Sequence, residues 1–202
     1  GGSPFAVANF YRLVAELAGA VLFNIDYALA PEHKFPQGLQ DCYAAVCHVH
    51  DHAADYGIDP AKITVGGDSA GGNLSAACCL LDRASDRPFI KAQYLIYPAV
   101  LIGTARTPDF KWNLSDFALC DEYRAVLEPM VLGFAPKEDE APGFEALYTD
   151  SLDDCQNPLA SPLLASDFTV FPRTLIATAE YDGLRVQGEL FGRYLQAAGN
   201  KA

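Results

Sequence analysis

Four glycines crowd into seven residues at Gly66-Gly67-Asp68-Ser69-Ala70-Gly71-Gly72, between an apolar run that ends at Val65 and a helical pattern that opens near Gly71. No other stretch restricts the fold so tightly. Such a run suits an abrupt reversal from strand into helix, because side chains at the flanking positions would collide where the two elements cross. The rest of the chain agrees. Short apolar runs at residues 20–25, 63–65, 92–97 and 174–178 read as buried strands. Helical patterns over about 6–17, 37–56, 71–82 and 184–197 separate them, the first with Phe10, Leu13, Val14 and Leu17 at helical spacing. Continuous apolar strands alternating with helices predict an α/β chain, with a mostly parallel sheet and helices on both faces.

The 202 residues suit one domain, and no shift of composition divides them. One excursion, about 103–164, breaks the alternation. It is rich in Pro, Asp and aromatic residues, with a helix predicted around 122–131. Segments that long usually wrap a binding site, and this one leaves the carboxyl end of a strand after Tyr97-Pro98, where open α/β sheets bind ligands. Trp112, Phe110 and Phe117 could wall such a site or form the excursion's own core, and the sequence leaves both open.

A net charge of −12, with no cluster among the 14 Lys and Arg, excludes a nucleic-acid partner and an anionic membrane surface. No apolar stretch is long enough to span a bilayer. Cys42, Cys47, Cys78, Cys79, Cys120 and Cys155 contain no CxxC pair. They read as small buried hydrophobes of a reducing compartment, which places the chain in the cytoplasm. His48 and His52 are four residues apart on one predicted helix, a spacing that can hold a metal. No third ligand is identifiable, so a solvated helix face is the better reading and no metal is expected. Glu138-Asp139-Glu140 reads as solvated surface.

The chemistry lies in Gly67-x-Ser69-x-Gly71. Three matching residues arise by chance in roughly one chain in fifteen of this length, so the pattern alone is weak. Its context is strong: a strand before, a helix after, and Ser69 at the apex as a nucleophile. The first amides of the following helix would face the developing oxyanion. Asp68, beside Ser69 on a tight turn, points away and reads as structural.

At this point the chain resembles a known family. Gly67-Asp68-Ser69-Ala70-Gly71-Gly72-Asn73-Leu74 is similar to the elbow of the hormone-sensitive-lipase-like α/β-hydrolases, which include bacterial acetyl esterases and carboxylesterases. The segment from Asp26-Tyr27 through Ala30-Pro31-Glu32 to Phe35-Pro36 resembles the family's DYxLAPExxFP stretch. Ser161-Pro162-Leu163 and Glu180-Tyr181-Asp182-Gly183-Leu184-Arg185 resemble two further segments, in the family's order.

The resemblance implies Ser69 as nucleophile and Asp182 as the acid that orients a histidine. It implies an oxyanion hole from the amides of Ala70, Gly1 and Gly2, although Ser3 stands where the family usually has an aromatic residue or Ala. It implies hydrolysis of small or short-chain esters, no cofactor, and a small-molecule ester as partner. A homodimer is compatible with the sequence and not required by it. His33, His48, His50 and His52 all precede Ser69, whereas the family's base follows its acid. The base and the family's N-terminal cap are therefore expected outside residues 1–202, and those residues by themselves are expected to be nearly inactive. Two rivals stay open: an amidase or peptidase of the same fold, and a non-catalytic ligand-binding homologue.

Overall fold

The computed structural model describes residues 4–135 and 143–201. Three parallel strands, β1 (Thr64–Asp68), β2 (Ala92–Ile96) and β3 (Arg173–Ala177), pair in the order β1-β2-β3. The ladder runs from Thr64 opposite Ala92 and Ala92 opposite Arg173 to Asp68 opposite Ile96 and Ile96 opposite Ala177. All three strands thus end at one edge of the sheet, and the functional candidates lie just beyond it. The expected strands at 63–65, 92–97 and 174–178 are present within one to three residues at each end.

The expected strand at 20–25 is not. Among the described residues this run joins no ladder. An apolar run becomes a strand only by pairing its backbone with a neighbour, and between residues 19–27 and β1 lies a cavity of about 1070 Å³. Composition announced a strand, whereas the ladder depends on what stands beside it.

Helices α1 (Ala8–Ala18), α2 (Gln37–Asp51), α3 (Ala70–Arg83) and α6 (Arg185–Ala197) match the four predicted, α2 ending earlier than expected. Side chains alternate across a strand, so Val65, Gly67, Gln93, Leu95, Thr174 and Ile176 share one face. That face is covered by α3 and α6, and Leu95, Phe191 and Leu195 are sealed from solvent. The polar members of this face satisfy one another, with Gln93 Nε2 donating to Thr174 Oγ1 at 3.0 Å. Helix α1 approaches the opposite face, where the Tyr11 hydroxyl donates to Asp68 at 3.4 Å. The expected helices on both faces are thus present, with Leu175 of β3 67% exposed and no residue of α1 buried.

Two polar fastenings position the parts. Asp82, 3% exposed at the end of α3, accepts from the amides of Phe89 and Ile90 at 3.0–3.2 Å. It fixes the turn that delivers the chain to β2. Removing a buried carboxylate that satisfies these amides should cost roughly 3 kcal/mol. Asp82→Ala is expected to shift the urea midpoint accordingly, and Asp82→Asn, whose amide oxygen still accepts, to shift it less.

The second fastening is at residues 26–36. The Ala28 amide donates to Asp41 of α2 at 2.9 Å, which helps to hold that carboxyl below its ordinary pKa. Lys34 Nζ donates to the carbonyls of Ala146 and Thr149 at 2.9 Å, and the Phe35 amide donates to Tyr148 O. This segment is therefore a strut between α2 and the excursion helix α5 (Phe144–Tyr148). The excursion's other helix, α4 (Arg124–Leu132), lies close to the predicted one.

Candidate active site

Ser69 has φ 53 and ψ −116, a combination that L-residues avoid, between the last residue of β1 and the first of α3. The conformation is locked on both sides. Its N–H donates to Ile96 O at 2.9 Å, and its carbonyl accepts from Asn73 at 3.1 Å and Ala99 at 3.2 Å. This is the sharp reversal that the glycine-rich run predicts, with a half-buried serine at the turn. Ala70 opens α3, so its amide is one of the first-turn N–H groups that have no carbonyl one turn earlier.

The glycines divide in a way the sequence did not foresee. A Cβ on Gly67 would lie 2.6–2.9 Å from the backbone of Gly71, and one on Gly72 would lie 2.8 Å from Pro98 Cβ. Both are required by close packing. A Cβ on Gly71 would meet nothing within 4 Å. The expected collision at Gly71 is therefore corrected: its position faces the cavity beside Ser69, not the crossing strand.

That cavity follows β1 from Thr64 to Asp68 along the edge away from β2, with residues 19–27 as its far wall and Ser69 at one end. Tyr11, Asp68 and Tyr94 line it. Burial first, then the Asp68 carboxylate, pushes the Tyr11 hydroxyl up to about 12. Tyr11 therefore stays protonated at neutral pH and can donate to Asp68.

Asp182 lies five residues beyond β3, at the same end of the sheet as Ser69 and two strands across. One of its carboxylate oxygens accepts from the Leu184 amide at 2.9 Å, and its carbonyl accepts from the Arg185 amide at 2.9 Å. The side chain thus shapes its own turn into α6, leaving the other carboxylate oxygen with acceptor capacity.

The described histidines lie elsewhere. His50 stacks on Phe89 at 4.0 Å, in the turn that enters β2, at the amino end of the strands. His48 and His52 stack on each other at 4.1 Å on the same helix end, and His33 is exposed in the strut. Among the described residues no hydrogen bond joins a histidine to Ser69 or Asp182. Nor does any group of three or more His, Cys, Asp or Glu side chains come together as a metal site would require. Gly1 and Gly2, the remaining oxyanion-hole candidates, and Glu138-Asp139-Glu140 lie outside the described residues.

The aromatic residues of the excursion form packing. Phe117 is 3% exposed against Trp112, with ring centroids 5.5 Å apart, and Phe110 packs on the main core. None of the three lines the cavity beside β1. All six cysteines are free thiols. Cys42, Cys78, Cys79 and Cys155 are buried as expected, and burial pushes the Cys42 thiol up to about 12. Cys120 is exposed and Cys47 partly so, which corrects the reading of all six as core.

Two further residues shape the site. Asn73, 3% exposed, donates to the carbonyls of Ala99 and Ala160 at 2.7 and 2.8 Å, tying the helix behind Ser69 to the excursion. Tyr97 has φ 36 directly after β2, and its amide donates to Ala177 O at 2.6 Å. In the sequence Asn73 showed only as part of the Gly67–Leu74 motif, and Tyr97 only as the Tyr-Pro at a strand's end.

Comparison with known proteins agrees with this geometry. The chain is 38% identical over 194 residues to the carboxylic ester hydrolase LipN of Mycobacterium tuberculosis, covering 93% of this chain and 47% of that protein. It is 34% identical to an arylesterase of Saccharolobus solfataricus, covering 93% and 56%. It superposes on the crystal structure of a hyperthermophilic esterase from Pyrobaculum calidifontis with a TM-score of 0.79 and 36% identity, covering all of this chain and 59% of the other. The chain thus spans about half the length of these curated relatives. Among the described residues no helix is long and apolar enough to cross a membrane. The family described as alpha/beta hydrolase fold matches residues 1–202, and with the parallel sheet and the strained serine between β1 and α3, the chain belongs to that family.

Proposed function

We propose that the native protein is a serine ester hydrolase acting on short-chain, acetyl-like esters through an acyl-enzyme on Ser69. The observation that carries this reading is the backbone of Ser69, held at φ 53 and ψ −116 where β1 turns into α3. Strain of this kind costs about 1–3 kcal/mol and persists where the surrounding structure imposes it. Its effect here is to lift the hydroxyl to the apex of the turn, in front of the first amides of α3.

In the proposed reaction Ser69 Oγ attacks the ester carbonyl carbon and gives its proton to a histidine base, which Asp182 orients. The carbonyl oxygen becomes an oxyanion held by the amide of Ala70 and by those of Gly1 and Gly2. Collapse breaks the ester bond, and the alcohol leaves with the proton from the base. Water then adds to the acyl-serine by the same route and releases the acid. The described histidines sit at the far end of the sheet or in the strut, away from Ser69. The names of the relatives, a carboxylic ester hydrolase and an arylesterase, support the reaction class.

The test is turnover of p-nitrophenyl esters of increasing acyl length by the native protein, with fluorophosphonate labelling in parallel. Fastest hydrolysis of the shortest esters, with stoichiometric labelling, is the expected result. Absence of both would favour the non-catalytic, ligand-binding reading.

A further inference from the structure

The turn that carries Asp182 is held from outside as well as by its own bonds. Trp112 Nε1–H donates to Gly183 O at 3.1 Å, immediately after the acid. Arg185 reaches back so that Nη1 donates to Glu180 O at 2.9 Å, two residues before it, while Nη2 donates to Asp116 O at 2.5 Å in the excursion. Between these bonds the guanidinium lies 4.5 Å from the centre of the Phe117 ring. Phe117 is in turn pressed against Trp112. Tyr181 adds a longer bond to Ala118 O at 3.4 Å, and a side chain on Gly183 would collide with Val131 O of α4.

The chemistry of Arg185 is unusual for a cation close to an acid. Its side chain is only 16% exposed, and its Nε makes no hydrogen bond, Glu189 lying 3.5 Å away. Both of its hydrogen bonds go to backbone carbonyls, one on each side of the seam between the Asp182 turn and the excursion. A planar fork stacked on an aromatic ring can join two such carbonyls, whereas an ammonium on a flexible stem cannot reproduce both the fork and the stacking.

We propose that Arg185 is a positioning residue. With Phe117 and Trp112 it clamps the Asp182 turn to the excursion and thereby sets how well the carboxylate supports the base. This rests on the reading of Asp182 as the triad acid. The acid and the excursion are then one mechanical unit, so changes in the excursion reach the reaction through Asp182 as well as through substrate contacts.

The test compares wild type, Arg185→Lys, Arg185→Met, Asp182→Asn and the Arg185→Met/Asp182→Asn double variant of the native protein, with p-nitrophenyl acetate over about pH 5 to 9. Arg185→Met is expected to lower kcat roughly 10- to 100-fold with little change in KM, and Arg185→Lys to recover part of the loss. A carboxylate beside the base favours its protonated form. Loosening it lowers the base's pKa, so the acid limb of the kcat/KM profile should move to lower pH, as in Asp182→Asn. In the Asp182→Asn background, Arg185→Met should cost nothing further.

An unshifted acid limb, or an equal loss in both backgrounds, would mean that Arg185 only supports the fold and would overturn the proposal. Should Arg185→Met fail to fold, Trp112→Phe decides the matter, since it removes the bond to Gly183 O while keeping an aromatic ring beside Phe117. The same shift and the same non-additivity support the clamp, and their absence sinks it. Failure of the underlying reading looks different: wild type would not turn over, or Asp182→Asn would match it, and the proposal would fall with that reading.

Discussion

Ser69→Ala is expected to abolish fluorophosphonate labelling and lower ester turnover by roughly 10⁴-fold or more, the remainder coming from binding and oxyanion stabilisation alone. The protein should still fold as well as wild type, because Ala keeps the strained backbone and loses only the hydroxyl. Ser69→Gly separates chemistry from strain. At φ 53 and ψ −116 glycine has no Cβ to oppose the conformation, so this variant should be equally inactive yet more stable by about 1 kcal/mol. The readouts are labelling, kcat and the urea midpoint. Labelling that survives Ser69→Ala would remove Ser69 from the mechanism. A Ser69→Gly protein no more stable than Ser69→Ala would show that the turn stores no strain at this residue.

The second large effect is expected at Gly67. Its new methyl would fall 2.6 Å from Gly71 C, 2.8 Å from Gly71 O and 2.9 Å from Gly71 Cα. All three are backbone atoms of the first helical turn, so no flexible side chain can swing aside. Either the helix shifts off the strand or the protein loses stability. Gly67→Ala should cost roughly 3 kcal/mol and, in whatever folds, most of the activity.

Gly71→Ala is the control within the same motif. Nothing lies within 4 Å of its Cβ position, and Ala favours a helix over Gly by about 1 kcal/mol. It should fold at least as well as wild type, as judged by thermal unfolding. Activity lost in that variant would then report on space needed beside Ser69. Equal destabilisation by the two substitutions would refute the packing account of the elbow.

These contrasts show what kind of information the chain carries locally. The turn at Ser69 was legible because its demands are met within about ten residues: a strand, a steric constraint and a helix start. The parallel arrangement was legible for a similar reason, since continuous apolar runs alternating with helices have few other ways to bury themselves. Asp182 was legible from its resemblance to a motif and not from physics, for in isolation an Asp before a helix is an ordinary turn-former. Its contacts with the amides of Leu184 and Arg185 follow that rule.

Other features could not be read in advance. The run at residues 20–25 has the composition of a strand, yet pairing is a property of two segments, and among the described residues it has no ladder partner. Trp112 and Phe117 offered either a pocket wall or a core. Only their meeting with Gly183 and Arg185, about seventy residues later in the chain, decides for a clamp.

The sequence alone determined the α/β class and the position of the strained serine, because both depend on short-range sterics or periodicity. Tertiary structure decided which glycines are indispensable, which histidines are remote from Ser69, and what holds the turn at Asp182. Those outcomes depend on contacts between distant segments, and a contact of that kind leaves no periodic trace in either segment that makes it.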